Sequence, residues 1–240
     1  KMGDSAVSYL GVSRNNQEIA VVGNHFHNIG MGEARGDYIL LLNSDTVVRP
    51  DTLARSLHYI KTHDGIGALG CRVLLPDGTL DAACKRSFPT PVNGVFHTLK
   101  MDKVFKNSRT IGAYNLTYLD EHTVHAVDCV MGAYMMVPRT VICSVGMLDE
   151  DFFMYGEDVD WCYRIHQAGY TIVYYPDAVI THYKKASGIG RKNPKVIAAF
   201  YDAMGIFYKK HYQDKYNGLT AKMVLSGTQF MKYVALKKNR

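Results

Sequence analysis

The chain has 240 residues, 47% of them hydrophobic, and its 28 basic residues against 22 acidic residues give a formal net charge of +6. This size allows one substantial core and predicts a single α/β domain with an appendage. Five cysteines without Cys-x-x-Cys spacing argue against a disulfide framework or a zinc knuckle and predict a reducing, cytoplasmic location. No signal peptide opens the chain and no run of ~18 apolar residues is present, so we expect a soluble or peripherally membrane-bound protein.

The first part of the chain alternates between strand and helix patterns. Residues 18–22 and 37–42 are short apolar runs followed by polar residues, which predicts buried parallel strands. A helix is predicted after Pro50, with an apolar stripe that faces the sheet. Residues 66–75 predict a further strand, which ends at a Pro-Asp-Gly turn.

The middle of the chain has a less regular pattern. Residues 84–124 contain Pro89, Pro91 and several isolated aromatic residues, and they predict a mobile, functional loop region. Strand character returns at residues 127–137, and a short helix at 139–143 and a last strand at 170–175 follow.

The pattern changes after Ser187. Ile197, Phe200, Met204 and Phe207 share one helical face, and residues 219–236 mix apolar residues with lysines, so two amphipathic helices are predicted. These helices pack on the core, lie on a membrane or mediate a homodimer. We therefore expect a main domain at residues 1–190 and a helical extension at residues 191–240.

Basic residues concentrate at positions 184–195 and 209–240. They predict either contact with anionic lipid at the inner face of the plasma membrane or a solvated charged face. Nucleic acid is not an expected partner, because the chain has no recognition motif and no aromatic residues interleaved with the basic run.

Two polar side chains follow the second predicted strand. Asn43 and Asp45 stand at its carboxyl end, where open α/β sheets place their ligands. A carboxylate and an amide there suit a divalent cation such as Mg²⁺ or Mn²⁺. His182 follows the apolar residues 178–180 and is either a further metal ligand or a structural histidine.

Residues 149–164 interleave carboxylates with large apolar side chains. Such crowding raises proton affinity and suits a general base or a cation ligand. Glu157 and Asp158 are the candidates, at a predicted loop-to-helix junction. Asp160 and Arg164 are spaced to pair along that helix, and a solvated acidic helix start is the alternative for all of these acids.

Read together, these segments resemble glycosyltransferase family 2, and within it the branch that includes bacterial rhamnosyltransferases. The resemblance covers about residues 24–190, and residues 146–164 fit the family's Asp-Glu-x-Phe-Phe-x-Tyr-x-Glu-Asp-x-Asp-x-Cys-x-Arg run nearly residue for residue. The other matching segments are residues 43–46, 76–79, 86–90, 128–133, 169–170, Pro176 and 182–187.

The resemblance implies an α/β fold of GT-A (Rossmann-like) type, with a mainly parallel sheet flanked by helices and the amphipathic helices at the C-terminus. It also implies an inverting, metal-assisted transfer of a sugar from a nucleoside-diphosphate sugar to an acceptor hydroxyl. L-Rhamnose from a dTDP donor is the expected sugar, and a cell-surface polysaccharide or lipid-linked saccharide is the expected acceptor.

The resemblance also implies the role of individual residues. It makes Asp158 the general base, with Glu157 as the alternate, and Asp45 and His182 the ligands of Mg²⁺ or Mn²⁺. Because an amide is a weak, neutral ligand, the metal site is expected to be completed by the diphosphate. The expected substrate-binding residues are Asn43, Asp128, Gly132, Trp161 and Arg164. A plain strand glycine at Gly132, core packing of Trp161 and pairing of Arg164 with Asp160 are the alternatives.

The family also carries motifs that this sequence lacks. Relatives begin with a strand that ends in Pro-x-Tyr/Phe-Asn and a second that ends in Asp-Asn-x-Ser-x-Asp. Neither motif is present, and residues 1–16 read as the helix that follows them, so we expect the N-terminal strands to be missing. A non-catalytic GT-A-like module that binds a sugar or a partner is therefore the alternative function. A glycoside hydrolase fits less well, because it needs two carboxylates across the scissile bond and no metal.

Overall fold

The structure is a computed structural model, and it describes residues 12–14, 17–22, 27–98, 101–105, 107–184 and 193–239. The strands in this part of the chain are β1 Val12–Arg14, β2 Gln17–Val22, β3 Tyr38–Leu42, β4 Thr46–Val48, β5 Ile66–Leu74, β6 Lys85–Arg86, β7 His125–Val127, β8 Cys129–Val130, β9 Tyr134–Pro138 and β10 Thr171–His182. The helices are α1 His27–Glu33, α2 Thr52–Thr62, α3 Pro91–Thr98, α4 Met101–Val104, α5 Arg139–Val145, α6 Glu157–Gln167, α7 Pro194–His211 and α8 Gly218–Lys238. None of the described helices is long and apolar enough to cross a membrane.

One large sheet organises the chain, with strand order β1-β2-β3-β9-β5-β10-β4 and β7 paired to β10. The pairs β2–β3 and β5–β10 are parallel, whereas β9 lies between β3 and β5 and runs antiparallel to both. The predicted α/β class, with helices that flank the sheet, is confirmed. The sheet itself is mixed, because β9 enters its centre in the reverse direction.

The central strands are buried because their residues are apolar on both faces. Ile39, Leu40 and Leu41 of β3 are fully buried, and β5 is buried along nearly its whole length. Helices α2 and α6 both contact β5 and β10. This continuous apolar run is typical of strands that are covered on both faces.

Strand β10 is longer than the sequence pattern predicts. The apolar pattern is interrupted by Pro176 and Asp177, and the pairing with β5 shifts register between Tyr175 and Val179. A proline lacks the N–H that the ladder needs, so it is accommodated by a bulge. After the bulge the strand continues to His182, which therefore lies at the end of the strand.

The prediction of a functional loop region without core elements at residues 84–124 is wrong in part. A 3₁₀ turn at Ala82–Cys84, strand β6 and helices α3 and α4 lie in and beside this region. Pro91 begins α3, because proline is well suited to the first helical position. The buried Asn93 then ties α3 to the preceding segment, since its Nδ2 donates to Phe88 O at 2.8 Å.

Two further expectations need correction. The strand predicted at residues 127–137 is divided into β7, β8 and β9, with a turn around Gly132 before β9. Residues 12–14 form a strand that pairs with β2, so the helix predicted for residues 1–16 is wrong there. Residues 1–11 and 15–16 lie outside the described part of the chain.

Helices α7 and α8 lie where two C-terminal helices are predicted, but their buried faces differ from the predicted stripes. In α7 the buried residues are Val196, Ala203, Phe207 and Tyr208, whereas Phe200 of the predicted stripe is 46% exposed, and of the described residues of α8 only Thr228 is buried. Asn193 and Asn217 cap the two helices, each through a side-chain oxygen that accepts a backbone N–H. Phe207 and Tyr208 of α7 belong to the main hydrophobic core, and α8 packs along α7. Core packing is thus one role of α7, while the division at residues 190 and 191 stays a prediction.

Candidate active site

One edge of the sheet collects the residues that follow β3 and precede β9. Leu42 pairs with Tyr134, and the backbone N–H of Asn43 donates to Ala133 O at 3.1 Å. Because β9 runs antiparallel to β3, its start lies beside the end of β3. Asn43, Asp45 and Gly132 therefore share the edge at which α/β sheets bind ligands.

Asp45 and His182 form a buried pair at this edge. The antiparallel pairing of β4 with β10 places Thr46 opposite His182. His182 Nε2 then lies 3.1 Å from Asp45 Oδ1 and 3.4 Å from Asn43 Nδ2. The two side chains are 6% and 8% exposed, so a carboxylate and an imidazole meet with little water between them.

Asp81 lies behind the imidazole of His182. Its Oδ2 is 3.9 Å from His182 Nδ1 and 2.6 Å from Lys184 Nζ, and its Oδ1 accepts the backbone N–H of Ala83 at 3.2 Å. Among the described residues, His182 Nδ1 is buried without a hydrogen-bond partner. The four side chains form a row in which carboxylates alternate with nitrogen-containing side chains, in the order Asp45, His182, Asp81 and Lys184. The sequence pattern does not single out Asp81, which lies three residues after the Pro-Asp-Gly turn.

The donor set fits a divalent cation only in part. Asp45 supplies a carboxylate oxygen, which is a ligand that Mn²⁺ and Mg²⁺ prefer. Asn43 turns Nδ2 toward His182, and the imidazole of His182 is a ligand type that is more common for softer metals. Within the described ranges no group of three or more histidine, cysteine, aspartate or glutamate side chains is arranged to hold a metal. A cation here would need further oxygens from a bound substrate.

Asp158 stands in the first turn of α6 and is held by three neighbours. Arg86 Nη2 donates to its Oδ2 at 2.6 Å, the N–H of Gly132 donates to the same oxygen at 3.2 Å, and the N–H of Val159 donates to Oδ1 at 2.8 Å. A carboxylate has about four lone-pair sites, so one site on Oδ1 remains. The side chains of Arg86 and Asp158 are 11% and 14% exposed, which makes their ion pair largely dry.

Glu157 is the neighbouring acid, and its environment is different. Burial, followed by the negative charge of Asp158, raises the pKa of Glu157 to about 7, while the nearby Arg86 lowers it. In the described part of the chain its Oε2 is buried without a hydrogen-bond partner. The two adjacent acids therefore differ in character, since Asp158 carries an ion pair and Glu157 holds a proton at pH values below about 7.

The backbone before α6 requires glycine. Gly156 has φ of 85°, and a Cβ there would lie 3.1 Å from Ala203 Cβ and from Phe152 Cδ1. Tyr155 also has a positive φ, of 67°, which is an uncommon conformation for an aromatic residue. This turn aims the first turn of α6 at the sheet edge, where the acidic side chains also meet the positive end of the helix dipole.

Asp128 and Gly132 lie beside the ion pair. Asp128 Oδ2 accepts the backbone N–H of Phe88 at 3.0 Å, which fixes the segment that carries Arg86. Gly132 contributes its N–H to Asp158, and a Cβ there would be in ordinary contact, 3.5 Å from Asp158 Cβ. The structure thus gives both residues a positioning role, and their predicted contact with substrate stays a prediction.

Trp161 and Arg164 both make structural contacts. The full burial of Trp161 corrects its substrate-binding prediction, whereas the substrate contact predicted for Arg164, whose side chain is 25% exposed, stays a prediction. Trp161 is 0% exposed and its Nε1 donates to Gly146 O at 2.8 Å, so its ring has no face for a sugar. Arg164 pairs with Asp160 as its spacing predicts, through Nε and Oδ2 at 2.8 Å. Its other nitrogens donate to Val145 O and Met147 O, so the guanidinium holds the loop before α6.

Sequence patterns do not reveal Arg86 as the partner of Asp158. Arg86 lies in the two-stranded sheet of β6 and β8, where it pairs with Cys129, and it is 72 residues from Asp158. Its only signal is membership of the Arg-Ser-Phe-Pro-Thr segment, which carries no information about a distant acid.

Comparison with known proteins gives one family. Residues 12–197 match the sequence profile of the family described as glycosyltransferase like family 2. An N-acetylglucosaminyl-diphospho-decaprenol L-rhamnosyltransferase of Mycobacterium tuberculosis (strain H37Rv) is 30% identical over 171 residues, which are 71% of this chain and 54% of that protein. Rhamnosyltransferase WbbL of Escherichia coli (strain K12) is 26% identical over 203 residues, which are 82% of this chain and 67% of that protein.

The chain spans about half the length, 54%, of the mycobacterial relatives that it matches. Likeness to solved structures is weaker. Mannosyltransferase PcManGT of Pyrobaculum calidifontis, in complex with GDP-Man and Mn²⁺, aligns over 89% of this chain and 51% of its own with 15% identity and a TM-score of 0.48. A likeness of this size carries no functional argument.

Proposed function

The chain belongs to glycosyltransferase-like family 2, and we propose that it has a GT-A fold and transfers a sugar from a nucleoside-diphosphate sugar to an acceptor hydroxyl with inversion at the anomeric carbon. The observation that carries the proposal is the buried Asp158 with one open lone pair at the sheet edge. A carboxylate so placed suits a general base.

The reaction is a direct displacement. Asp158 Oδ1 takes the proton of the acceptor hydroxyl, and the freed oxygen forms a bond to the anomeric carbon. The bond from that carbon to the phosphate oxygen breaks, and the nucleoside diphosphate leaves with the electron pair. One attack from the face opposite the leaving group inverts the anomeric configuration.

Arg86 and Gly132 position the base in this scheme. Their two hydrogen bonds hold Oδ2, so the carboxylate cannot rotate, and the open site on Oδ1 keeps one direction. Accurate placement of a reacting group lowers the activation free energy of a reaction substantially. Glu157, with its raised pKa, keeps a second negative charge away from the site below neutral pH.

Asp45 and His182, with Asn43 beside them, are the residues that would hold Mg²⁺ or Mn²⁺ together with the donor diphosphate. A bound cation would neutralise the charge that develops on the leaving diphosphate. Asp81, paired with Lys184, lies 3.9 Å from the second ring nitrogen of His182. This is the side on which metal-binding histidines generally have a carboxylate partner.

The donor and acceptor are proposed by similarity. Two relatives are named as rhamnosyltransferases, and the mycobacterial one is named for an acceptor that carries a diphosphate and a decaprenol chain. We propose L-rhamnose from a dTDP donor and a lipid-linked saccharide of a cell-surface polysaccharide as the acceptor.

Helix α8 supports a contact with the membrane that holds such an acceptor. Leu219, Met223, Phe230 and Tyr233 are 60–70% exposed along one face, named here the α8 stripe. Residues 218–240 contain no aspartate or glutamate, and Lys222 and Lys237 are exposed. Exposed apolar residues with flanking lysines suit an anionic lipid surface. The five free cysteines support the cytoplasmic side as the location.

Binding of dTDP with and without Mn²⁺ tests the donor and metal part of the proposal. Calorimetry should show weak binding of Mn²⁺ alone and clearly tighter binding when dTDP is present, because the diphosphate supplies missing oxygens. Asp45→Asn should abolish that gain. Asp51→Asn changes an exposed acid in the same way and is the matched control, with wild-type binding expected. Equal Mn²⁺ affinity with and without dTDP would contradict the proposal.

A further inference from the structure

A groove of about 460 Å³ lies between the loop that precedes α6 and the face of α7 that packs beside this loop. Its apolar wall consists of Phe152, Phe153, Ala198, Ala199, Ala203 and Ile206, and we call it the α7 groove. Phe152 is buried, whereas Phe153 is 78% exposed. The groove therefore presents a phenyl ring to solvent opposite a row of alanines.

The groove remains open because α7 places small side chains there. Ala198, Ala199 and Ala203 face the loop, whereas the larger Phe207 and Tyr208 of the same helix enter the core. The loop is firmly held, since Lys210 bonds both Asp149 and Asp151, and Asn28 exchanges two hydrogen bonds with the backbone of Leu148. Two well-held walls with an unfilled apolar space between them are suited to an apolar ligand.

The α7 groove adjoins the proposed base. Ala203, which lines the groove, packs against Gly156, and a Cβ on that glycine would be only 3.1 Å from Ala203 Cβ. Gly156 immediately precedes Glu157 and Asp158. A ligand that lies in the groove thus has its near end beside the first turn of α6.

The acids beside the groove are held by lysines. Asp202 is paired with Lys232 at 2.7 Å, and Lys210, which lies 2.6 Å from Asp151, is shared between Asp151 and Asp149. Lys195 also lines the groove and is exposed. An apolar wall with a lysine at its margin is complementary to an amphiphile with a hydrocarbon chain and a phosphate group.

We propose that the α7 groove binds the isoprenoid units of a lipid-linked acceptor that lie next to its diphosphate, with Lys195 close to that diphosphate. The proposal rests on the proposed function for the identity of the acceptor. It adds the site at which the lipid is recognised and the residues that form it. Neutral saccharides without the chain would bind the enzyme without using this wall.

Farnesyl diphosphate is a suitable probe, and inorganic pyrophosphate is its control without the chain. We expect the wild-type protein to bind farnesyl diphosphate at least tenfold more tightly than pyrophosphate in calorimetry. Ala199→Trp fills the groove and should remove this difference, while the affinity for pyrophosphate stays unchanged. Gln167→Trp adds the same indole at an exposed position of α6, and this control variant should retain the difference between the two affinities.

Phe153→Ser provides a second variant, because removal of an exposed ring leaves the folded structure intact. It should also reduce the preference for farnesyl diphosphate, and thermal melts should show that it and Ala199→Trp are folded. Equal binding of the two ligands by the wild-type protein would overturn the proposal. So would an unchanged preference in both folded groove variants.

These results separate the site from the reaction. Chain-dependent binding without sugar transfer to any acceptor would contradict the proposed function and leave the groove assignment standing. The opposite result is sugar transfer that proceeds equally well with farnesyl-linked and lipid-free acceptors, in both the wild-type and the Ala199→Trp protein. That result would contradict the groove assignment and leave the proposed function standing.

Discussion

The guanidinium of Arg86 and the carboxylate of Asp158 face each other in a largely dry setting, 2.6 Å apart. Removal of one member of a buried ion pair leaves the other without compensation and costs about 3 to 5 kcal/mol. We therefore expect Arg86→Gln to lower the free energy of unfolding by about 3 kcal/mol, measured in urea. Arg55→Gln breaks an exposed pair with Asp51 and is the control, with a much smaller change expected. Equal changes in both variants would mean that the Arg86 pair is as hydrated as the surface pair.

Glu157 should make stability depend on pH in the direction opposite to most carboxylates. Its folded-state pKa is raised from the ordinary 4.5 to about 7, first by burial and then by Asp158. Between these values the folded protein holds a proton that the unfolded chain has lost, so this group makes stability fall as the pH rises. Unfolding in urea at pH 4.5, 6 and 7.5 measures the slope, and Glu157→Gln should remove this downward contribution. An identical slope in the variant would contradict the raised pKa.

The candidate site illustrates which residue contacts a sequence reveals. The pair of Asp160 with Arg164 follows from helical spacing, whereas Asp45 and His182 are brought together by the family resemblance, which makes both of them ligands of one metal. Arg86 and Asp81 reach their partners across the fold, and no spacing rule encodes such contacts. For Trp161 the sequence predicts a substrate contact that its burial rules out. An aromatic residue among acids has the same sequence pattern whether its ring is buried or exposed.

At the scale of elements, α6 connects the site to the C-terminal helices. Asp160 Oδ1 lies 2.6 Å from His211 Nε2 on α7, and Asp160 Oδ2 accepts from Arg164 on its own helix. Tyr163 of α6 also packs edge-on against Phe207, with ring centroids 5.6 Å apart. Helix α7 is therefore part of the framework that orients the first turn of α6.

Asp160→Asn tests this connection. The carboxylate is 1% exposed and has two partners, so loss of its charge should lower the free energy of unfolding by about 3 kcal/mol. Asp202→Asn removes a carboxylate that is 44% exposed and paired with Lys232, and it should cost clearly less, because water screens exposed pairs. Denaturant titration of the two variants compares them, and equal losses would show that Asp160 is not a structural link.

Element prediction succeeds where one pattern dominates and fails where two compete. The apolar run of β3 is found at nearly its observed position, and so is helix α7, although Phe200 of its predicted stripe is exposed. Strand β10 is predicted too short because Pro176 resembles a strand end, whereas the sheet absorbs it as a bulge. Helices α3 and α4 are missed because their short apolar stretches lie among prolines and turn residues.

For the molecule as a whole, the α8 stripe predicts binding to anionic membranes. Vesicles that contain phosphatidylglycerol should sediment the protein at low salt, because each basic residue near such a surface contributes about 1 kcal/mol. Binding should fade as salt rises, since screening acts within about 10 Å at 0.1 M. Phe230→Glu places a charge on the stripe and should release the protein, whereas Gln229→Glu adds the same charge beside it and should weaken binding less.

A homodimer is the competing explanation of the α8 stripe. If the protein is a dimer by light scattering and Phe230→Glu makes it a monomer, the stripe is a subunit interface. Absence of sedimentation with anionic vesicles at low salt would also contradict the membrane proposal.

The family and the sheet-based fold are predictable from the sequence because the family's motifs surround the site in a fixed order along the chain. The position of α7 beside that site is not predictable, since helix periodicity indicates an apolar face and does not say what the face covers. The contact of Ala203 with Gly156 appears only in three dimensions.

Transfer of labelled sugar from dTDP-rhamnose to a lipid-linked acceptor, compared between the wild-type full-length protein and Asp158→Asn, tests the central claim most directly. Loss of a general base lowers turnover by about 10² to 10⁴, and we expect a decrease of that size with nearly unchanged affinity for the donor, because Asp158 acts on the acceptor proton. A variant that keeps more than about a tenth of the wild-type turnover would contradict the assignment of Asp158 as the base.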